Sequence, residues 1–199
     1  MPPPSLSRRL GGLASAAVAA VGLGSAEPNR AEAAPTPSAH DFQFTSIDGE
    51  DLPLSQFAGK AVLIVNTASF CGLTPQYGGL QAVWERYRDR GLVVLGVPSN
   101  DFGSQEPNTE DRIKQFCSVK FNITFPMTSK VRVVGGGAHP FYVWAQQQVG
   151  FVGSPKWNFH KYLIGPDGRM LDWFSSMTGP ESGKLATAIE AALPEAAAH

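Results

Sequence analysis

Ala61 to Thr67 reads AVLIVNT and Leu92 to Val97 reads LVVLGV. Near-continuous apolar runs rich in β-branched residues are the pattern of strands buried on both faces. Between them, Leu80, Val83, Trp84 and Tyr87 recur at helical spacing within a segment running from Leu73 to Arg90. A strand, a helix and a second buried strand restrict the chain to an α/β layered fold.

The flanking segments complete that reading. Phe42 and Phe44 alternate with polar neighbours ahead of Asp48-Gly49, which predicts an opening β-hairpin. Pro98 to Pro107 is loop-like. Glu110 to Phe121 is helical, with Ile113, Phe116 and Cys117 on one stripe, and Pro140 to Gln148 is a short helix with proline in its first turn. Tyr162 to Ile164 and Met170 to Phe174 flank Gly165-Pro166-Asp167-Gly168 as a second hairpin, and Gly183 to Leu193 is an Ala-rich closing helix. No repeat is visible. A thioredoxin-like topology fits this order: a central mixed sheet flanked by helices, with an N-terminal β-hairpin.

The first forty residues differ in composition. All 20 aromatic residues follow position 40. Arg8 and Arg9 precede an uncharged, mildly apolar stretch from Leu10 to Ala26, and Ala31-Glu32-Ala33 has the small-residue cleavage pattern. These features describe an export signal over 1–33, and Ser7-Arg8-Arg9 resembles the twin-arginine type. Residues 34–40 are expected as a linker and 41–199 as the folded domain. The expected location is periplasmic; an organelle transit peptide and an uncleaved membrane tether are the alternatives. Once the signal is processed, no stable membrane insertion is expected. The full chain carries 16 Lys+Arg against 17 Asp+Glu, which argues against a nucleic-acid binder working by phosphate neutralisation. Four scattered histidines and two cysteines support neither a metal centre nor another cofactor.

Cys71 follows the first buried strand by four residues and precedes a helix. Free N–H groups and the positive end of a helix dipole favour thiolate over thiol, and the thiolate is the nucleophile. Cys71-Gly72-Leu73-Thr74 is not a C-x-x-C exchange pair. From position alone, a reactive thiol and an inert buried cysteine are both open.

The run NTASFCGLTPQY from Asn66 to Tyr77 resembles the active-site signature of the glutathione peroxidase family in its cysteine form. FGSQEPN from Phe102 to Asn108 and WNFHKYL from Trp157 to Leu163 resemble two more motifs of that family, and Phe125-Pro126-Met127 matches a further landmark. The resemblance implies that Cys71 attacks the peroxide O–O bond with Gln105, Trp157 and Asn158 as partners. Neutral amide and indole donors of this kind hold a thiolate and stabilise a departing alkoxide or hydroxide.

Cys117 lies 46 residues after Cys71. Its stripe reads as core, and a structural disulfide is a second possibility in an exported chain. QFC followed by TFP resembles the resolving-cysteine region of the plant and yeast members, which are reduced by thioredoxin more readily than by glutathione. The resemblance then implies a Cys71–Cys117 disulfide re-reduced by a thioredoxin-like protein, with glutathione as the alternative. The short span between Phe125 and Trp157 resembles the monomeric members. Pro98-Ser99-Asn100 stands where some relatives carry a third cysteine, and His160 occupies a variable position read as packing rather than as a base. A peroxide-sensing relay and a non-catalytic exported protein with a static disulfide are the rival readings. A peroxiredoxin proper is disfavoured, because Ile64 and Ala68 occupy its Pro and Thr/Ser positions.

Overall fold

The computed structural model of the protein describes residues 37–195, so the expected export signal falls outside the described residues. Strands β1 (Gln43–Thr45) and β2 (Asp51–Pro53) pair antiparallel around a turn in which Gly49 takes a φ of 90°. The central sheet contains β3 (Ala61–Thr67), β4 (Leu92–Pro98), β5 (Lys161–Ile164) and β6 (Met170–Phe174) in the order β4-β3-β5-β6. β3 pairs parallel with β4 and antiparallel with β5, and β5 pairs antiparallel with β6. Helices α1 (Gln76–Tyr87), α2 (Glu110–Phe121), α3 (Pro140–Val149) and α4 (Gly183–Ala192) complete the mixed α/β architecture.

The apolar run of β3 is explained by its two faces. Ala61, Leu63 and Val65 enter a core shared with α1, α2 and α4, where Leu80, Ile113, Leu185 and Ile189 are buried. Val62 and Ile64 enter a second core with Phe44, Leu52, Phe141 and Trp144, from the first hairpin and α3. Alternate side chains point to opposite faces of a strand, so burial on both sides demands an unbroken apolar sequence.

Two boundaries differ from the sequence expectation. Residues 37–40 join the fold: Ala39 is buried and its amide donates to the Gly168 carbonyl at 2.9 Å, while Trp144 Nε1 donates to Pro37 O at 2.9 Å. The helix expected from Leu73 begins at Gln76 and ends at Tyr87, with a short 3₁₀ turn over Arg88–Arg90. Pro75 sits at the N-cap, where its missing N–H costs no helical hydrogen bond. Thr74 draws the chain just before it into tighter turns, with the Thr74 amide donating to Cys71 O at 3.0 Å and the Tyr77 amide to Thr74 O at 3.0 Å.

Candidate active site

Cys71 sits in the turn that leaves the carboxyl end of β3, only 7% exposed. Thr74 builds that turn. Its hydroxyl donates to Ala68 O at 3.0 Å and accepts the Cys71 amide at 3.0 Å. The Leu73 amide then donates to Cys71 Sγ at 3.3 Å. The donor that meets the sulfur thus comes from this turn, three residues ahead of α1, and not from the first turn of the helix. An N–H aimed at sulfur stabilises negative charge there.

Gln105 arrives on the loop that follows β4. Gly103 and Ser104 both adopt positive φ, 63° and 52°, and this double left-handed turn reverses the chain just before Gln105. The Phe70 amide donates to the Gln105 carbonyl at 3.0 Å, so the Cys71 turn and the Gln105 loop are laced together next to the thiol.

Trp157 and Asn158 arrive on the segment entering β5. Asn66, inside β3, holds that segment at three points. Its Nδ2 donates to Trp157 O at 3.1 Å, its carbonyl accepts the Phe159 amide at 2.6 Å, and its own amide donates to His160 O at 3.2 Å. Phe159 takes a φ of 65°, a conformation rarely adopted by a bulky residue and sustained here by those bonds. The fully buried Lys161 donates to Phe159 O and to Gln76 Oε1, each at 2.7 Å, which ties the kink to the start of α1. Burial pulls the Lys161 amine down to about 7.

The structure brings Gln105 and Asn158 into direct contact: Asn158 Nδ2 donates to Gln105 Oε1 at 2.9 Å. The engaged atom of Gln105 is its oxygen, which leaves its amide protons as available donors. Trp157 is half-exposed and packs its ring against Phe102 at 6.0 Å. The ends of β3 and β4 and the start of β5 thus present these groups at one edge of the sheet, where open α/β sheets place their ligands. Beside Trp157 runs an apolar groove of about 340 Å³ that includes Val152, Trp173 and Met177.

His160 also borders that groove, and it is a packing residue. It is buried, stacks on Trp173 at 5.6 Å, and burial takes its imidazole down to about 4, so it is neutral at physiological pH.

Cys117 is 1% exposed on α2 and belongs to the same buried cluster as Cys71; both are free thiols. Burial pushes the Cys117 thiol up to about 11. Of the twelve residues of α2 only Ile113 and Cys117 are fully buried, while Phe116 and Phe121 pack partly buried against the same core. The segment after it is pinned separately: Gln81 Nε2 donates to Thr124 Oγ1 at 2.7 Å, and Gln81 Oε1 accepts the Thr124 amide at 2.9 Å.

The chain is similar to known proteins in sequence and in fold. Residues 39–146 match the sequence profile of the family described as glutathione peroxidase. The chain belongs to the glutathione peroxidase family. A glutathione peroxidase-like peroxiredoxin, GPX5 of Chlamydomonas reinhardtii, is 43% identical over 159 residues, which is 79% of this chain and 97% of the relative. Another, gpx1 of Schizosaccharomyces pombe, is 44% identical over 67% of this chain and 86% of its own length. The hydroperoxy fatty acid reductase gpx1 of Synechocystis sp. is 42% identical over 71% of this chain and 89% of its own length. Among solved structures, Trgpx in apo form superposes with a TM-score of 0.63 at 38% identity, covering 78% of this chain and 97% of that one. A thioredoxin-family thiol:disulfide interchange protein of Chlorobium tepidum superposes with a TM-score of 0.57 at 19% identity, over 81% of this chain and 99% of its own. The fold is therefore thioredoxin-like, as expected, and the chain is an oxidoreductase of the peroxidase class.

Sequence reasoning assigned no role to Thr74, Asn66, Glu106 or Lys161, all buried and all hydrogen-bonded around the site. The Cys71-x-x-Thr74 spacing carried a signal for the first of them, since a hydroxyl three residues on reaches back to a free amide.

Proposed function

We propose that the protein is a two-cysteine thiol peroxidase acting on hydrogen peroxide and organic hydroperoxides. The Cys71 thiolate attacks the terminal oxygen of ROOH. An S–O bond forms, the O–O bond breaks, and the alkoxide takes a proton to leave as ROH. Gln105, Asn158 and the Trp157 indole are the donors that hold the charge as it moves from sulfur to the departing oxygen. The observation that carries this reading is the Asn158 to Gln105 hydrogen bond, placed beside Cys71 by the Phe70 to Gln105 bond.

The sulfenic acid of Cys71 condenses with Cys117, giving a disulfide and water. Cys117 begins buried on α2, so α2 opens locally for the sulfurs to reach bonding distance. The separate anchor at Thr124 confines that opening to the helix. A thioredoxin-like dithiol then reduces the disulfide by exchange, in preference to glutathione. The apolar groove beside Trp157 supports organic and lipid hydroperoxides as substrates, in line with the name of the Synechocystis relative. The protein acts as a monomer in defence against oxidative stress. Export by residues 1–33 places it in the periplasm, where its reductant is an exported thioredoxin-like domain. Sequencing the mature N-terminus checks that part, with a start at residue 34 or 35 expected.

The chemistry is tested with Cys71→Ser and Cys117→Ser under steady peroxide. Cys71→Ser abolishes turnover. Cys117→Ser takes one equivalent of peroxide to form the Cys71 sulfenic acid, consumes further peroxide only in over-oxidising that sulfur, and does not turn over with thioredoxin. Unchanged multiple turnover in Cys117→Ser contradicts the resolving role.

A further inference from the structure

Lys161 is fully buried on β5, paired with Val65 of β3 on one side and Phe174 of β6 on the other. Among the described residues no carboxylate forms an ion pair with it. A lysine in that setting costs stability that an apolar residue would not. Its amine donates to two acceptors, Phe159 O and Gln76 Oε1, each at 2.7 Å. Burial favours the neutral amine, whose two N–H bonds match those two acceptors.

Each acceptor leads to one half of the site. Phe159 directly follows Asn158 and holds a φ of 65°, a conformation that relaxes unless the peptide groups around it are held. Asn66 O accepts the Phe159 amide at 2.6 Å and Lys161 Nζ takes the Phe159 carbonyl, so the strained residue is clamped from both sides. Trp157 and Asn158 are therefore aimed by a kink that Lys161 closes.

Gln76 leads to the thiol. Its amide donates to Leu73 O at 2.9 Å, and the Leu73 amide donates to Cys71 Sγ at 3.3 Å. Its Nε2 donates to Ser176 O at 2.7 Å, in the wall of the apolar groove. One buried amine thus joins the segment that carries two donors to the turn that carries the sulfur, although it touches none of the three.

We propose that Lys161, acting with Gln76, is a positioning residue for the peroxide step and holds Trp157 and Asn158 in place against the Cys71 thiol. The proposal rests on the peroxidatic reading of Cys71 and its donors above. Donors stabilise a departing alkoxide only when they already stand where its charge develops, so a small displacement of their segment slows that step. The nucleophilicity of the sulfur itself depends on the Leu73 amide and not on this segment. Loss of Lys161 therefore acts on reactions that expel an oxygen anion and spares those that do not.

The test uses the full mature chain, reduced, at a single pH. Two second-order rate constants are measured at Cys71: oxidation by hydrogen peroxide, by stopped flow, and alkylation by iodoacetamide, by peptide mass. Alkylation expels iodide and needs no donor for an oxygen anion. Lys161→Met is of similar length and donates nothing. It is expected to slow peroxide oxidation about thirtyfold and to change alkylation less than threefold. Equal slowing of both reactions, or of neither, overturns the proposal. Adding Lys161→Met to Asn158→Ala is expected to cost less than threefold beyond Asn158→Ala alone, because the two act through one segment; a fully multiplicative loss overturns the proposal. Gln76→Met keeps the Lys161 bond to Phe159 O and is expected to slow peroxide oxidation alone, by about fivefold. This variant carries the test if Lys161→Met does not fold, and an unchanged rate overturns the proposal. A parent protein whose Cys71 is not oxidised rapidly by peroxide overturns the underlying peroxidase reading instead, and is distinguished by that result.

Discussion

Asn158 and Gln105, 53 residues apart in the chain, are joined by a 2.9 Å hydrogen bond from Asn158 Nδ2 to Gln105 Oε1. Asn158 is fully buried, so the bond fixes the Gln105 amide against the sheet edge and turns its protons outward. This pair links the loop after β4 to the entry of β5, and the Phe70 amide adds the Cys71 turn at 3.0 Å from the Gln105 carbonyl.

Asn158→Ala removes that anchor and one of the proposed charge-stabilising donors. The rate constant for oxidation of Cys71 by hydrogen peroxide is expected to fall about a hundredfold. Stopped-flow measurement of the first oxidation checks this, and a fall of less than threefold contradicts the donor role.

Thr74→Val is nearly isosteric and deletes two bonds at once. It leaves the Cys71 amide and the Ala68 carbonyl without their partner in a buried turn. The expected loss is about 2 kcal/mol of stability, read from urea unfolding of the reduced protein. Peroxidase activity falls with it, because the Leu73 amide is no longer held against the sulfur.

Val152 and Met177 line the groove beside Trp157 and are 74% and 80% exposed, so charged substitutions there leave the core intact. Met177→Glu is expected to lower the ratio of kcat/KM for a long-chain hydroperoxide to that for hydrogen peroxide by about tenfold. An unchanged ratio excludes the groove from substrate binding.

Lys161 supplies a pH test. Burial lowers its folded-state value to about 7 from 10.5. Between these values the unfolded chain binds the extra proton, so the contribution of this group to stability rises with pH from about 7 upward. Lys161→Met lacks the group. The stability difference, parent minus variant, is expected to grow by about 2 kcal/mol from pH 7 to pH 9. A difference that is flat over this range contradicts the burial of a neutral amine.

Much of the architecture was legible because burial dictates sequence directly. β3 and β4 had to be continuous apolar runs, since each feeds two cores. Both hairpins were marked by their turn residues, and the bounds of α2 coincide with those expected. The start of α1 was not legible, because Pro75 suits a first helical turn and nothing nearby in sequence shows Thr74 bonding to Ala68 instead. At the site, Cys71 stood out by position, whereas Gln105, Trp157 and Asn158 came only through resemblance. Their association depends on long-range bonds, such as that from Asn66 to the Trp157 carbonyl across 91 residues. Glu106 and Lys161 escaped notice because charged residues ordinarily read as surface, and only the folded chain shows them fully buried.

The central claim is the pairing of Cys71 with Cys117, and counting free thiols before and after one equivalent of hydrogen peroxide tests it most directly. Intact mass with alkylation is predicted to show loss of both thiols with no oxygen retained, the signature of an intramolecular disulfide. Loss of one thiol with an oxygen gained would contradict the two-cysteine cycle and leave Cys117 as core. Absence of any rapid change would contradict the peroxidatic role of Cys71 itself.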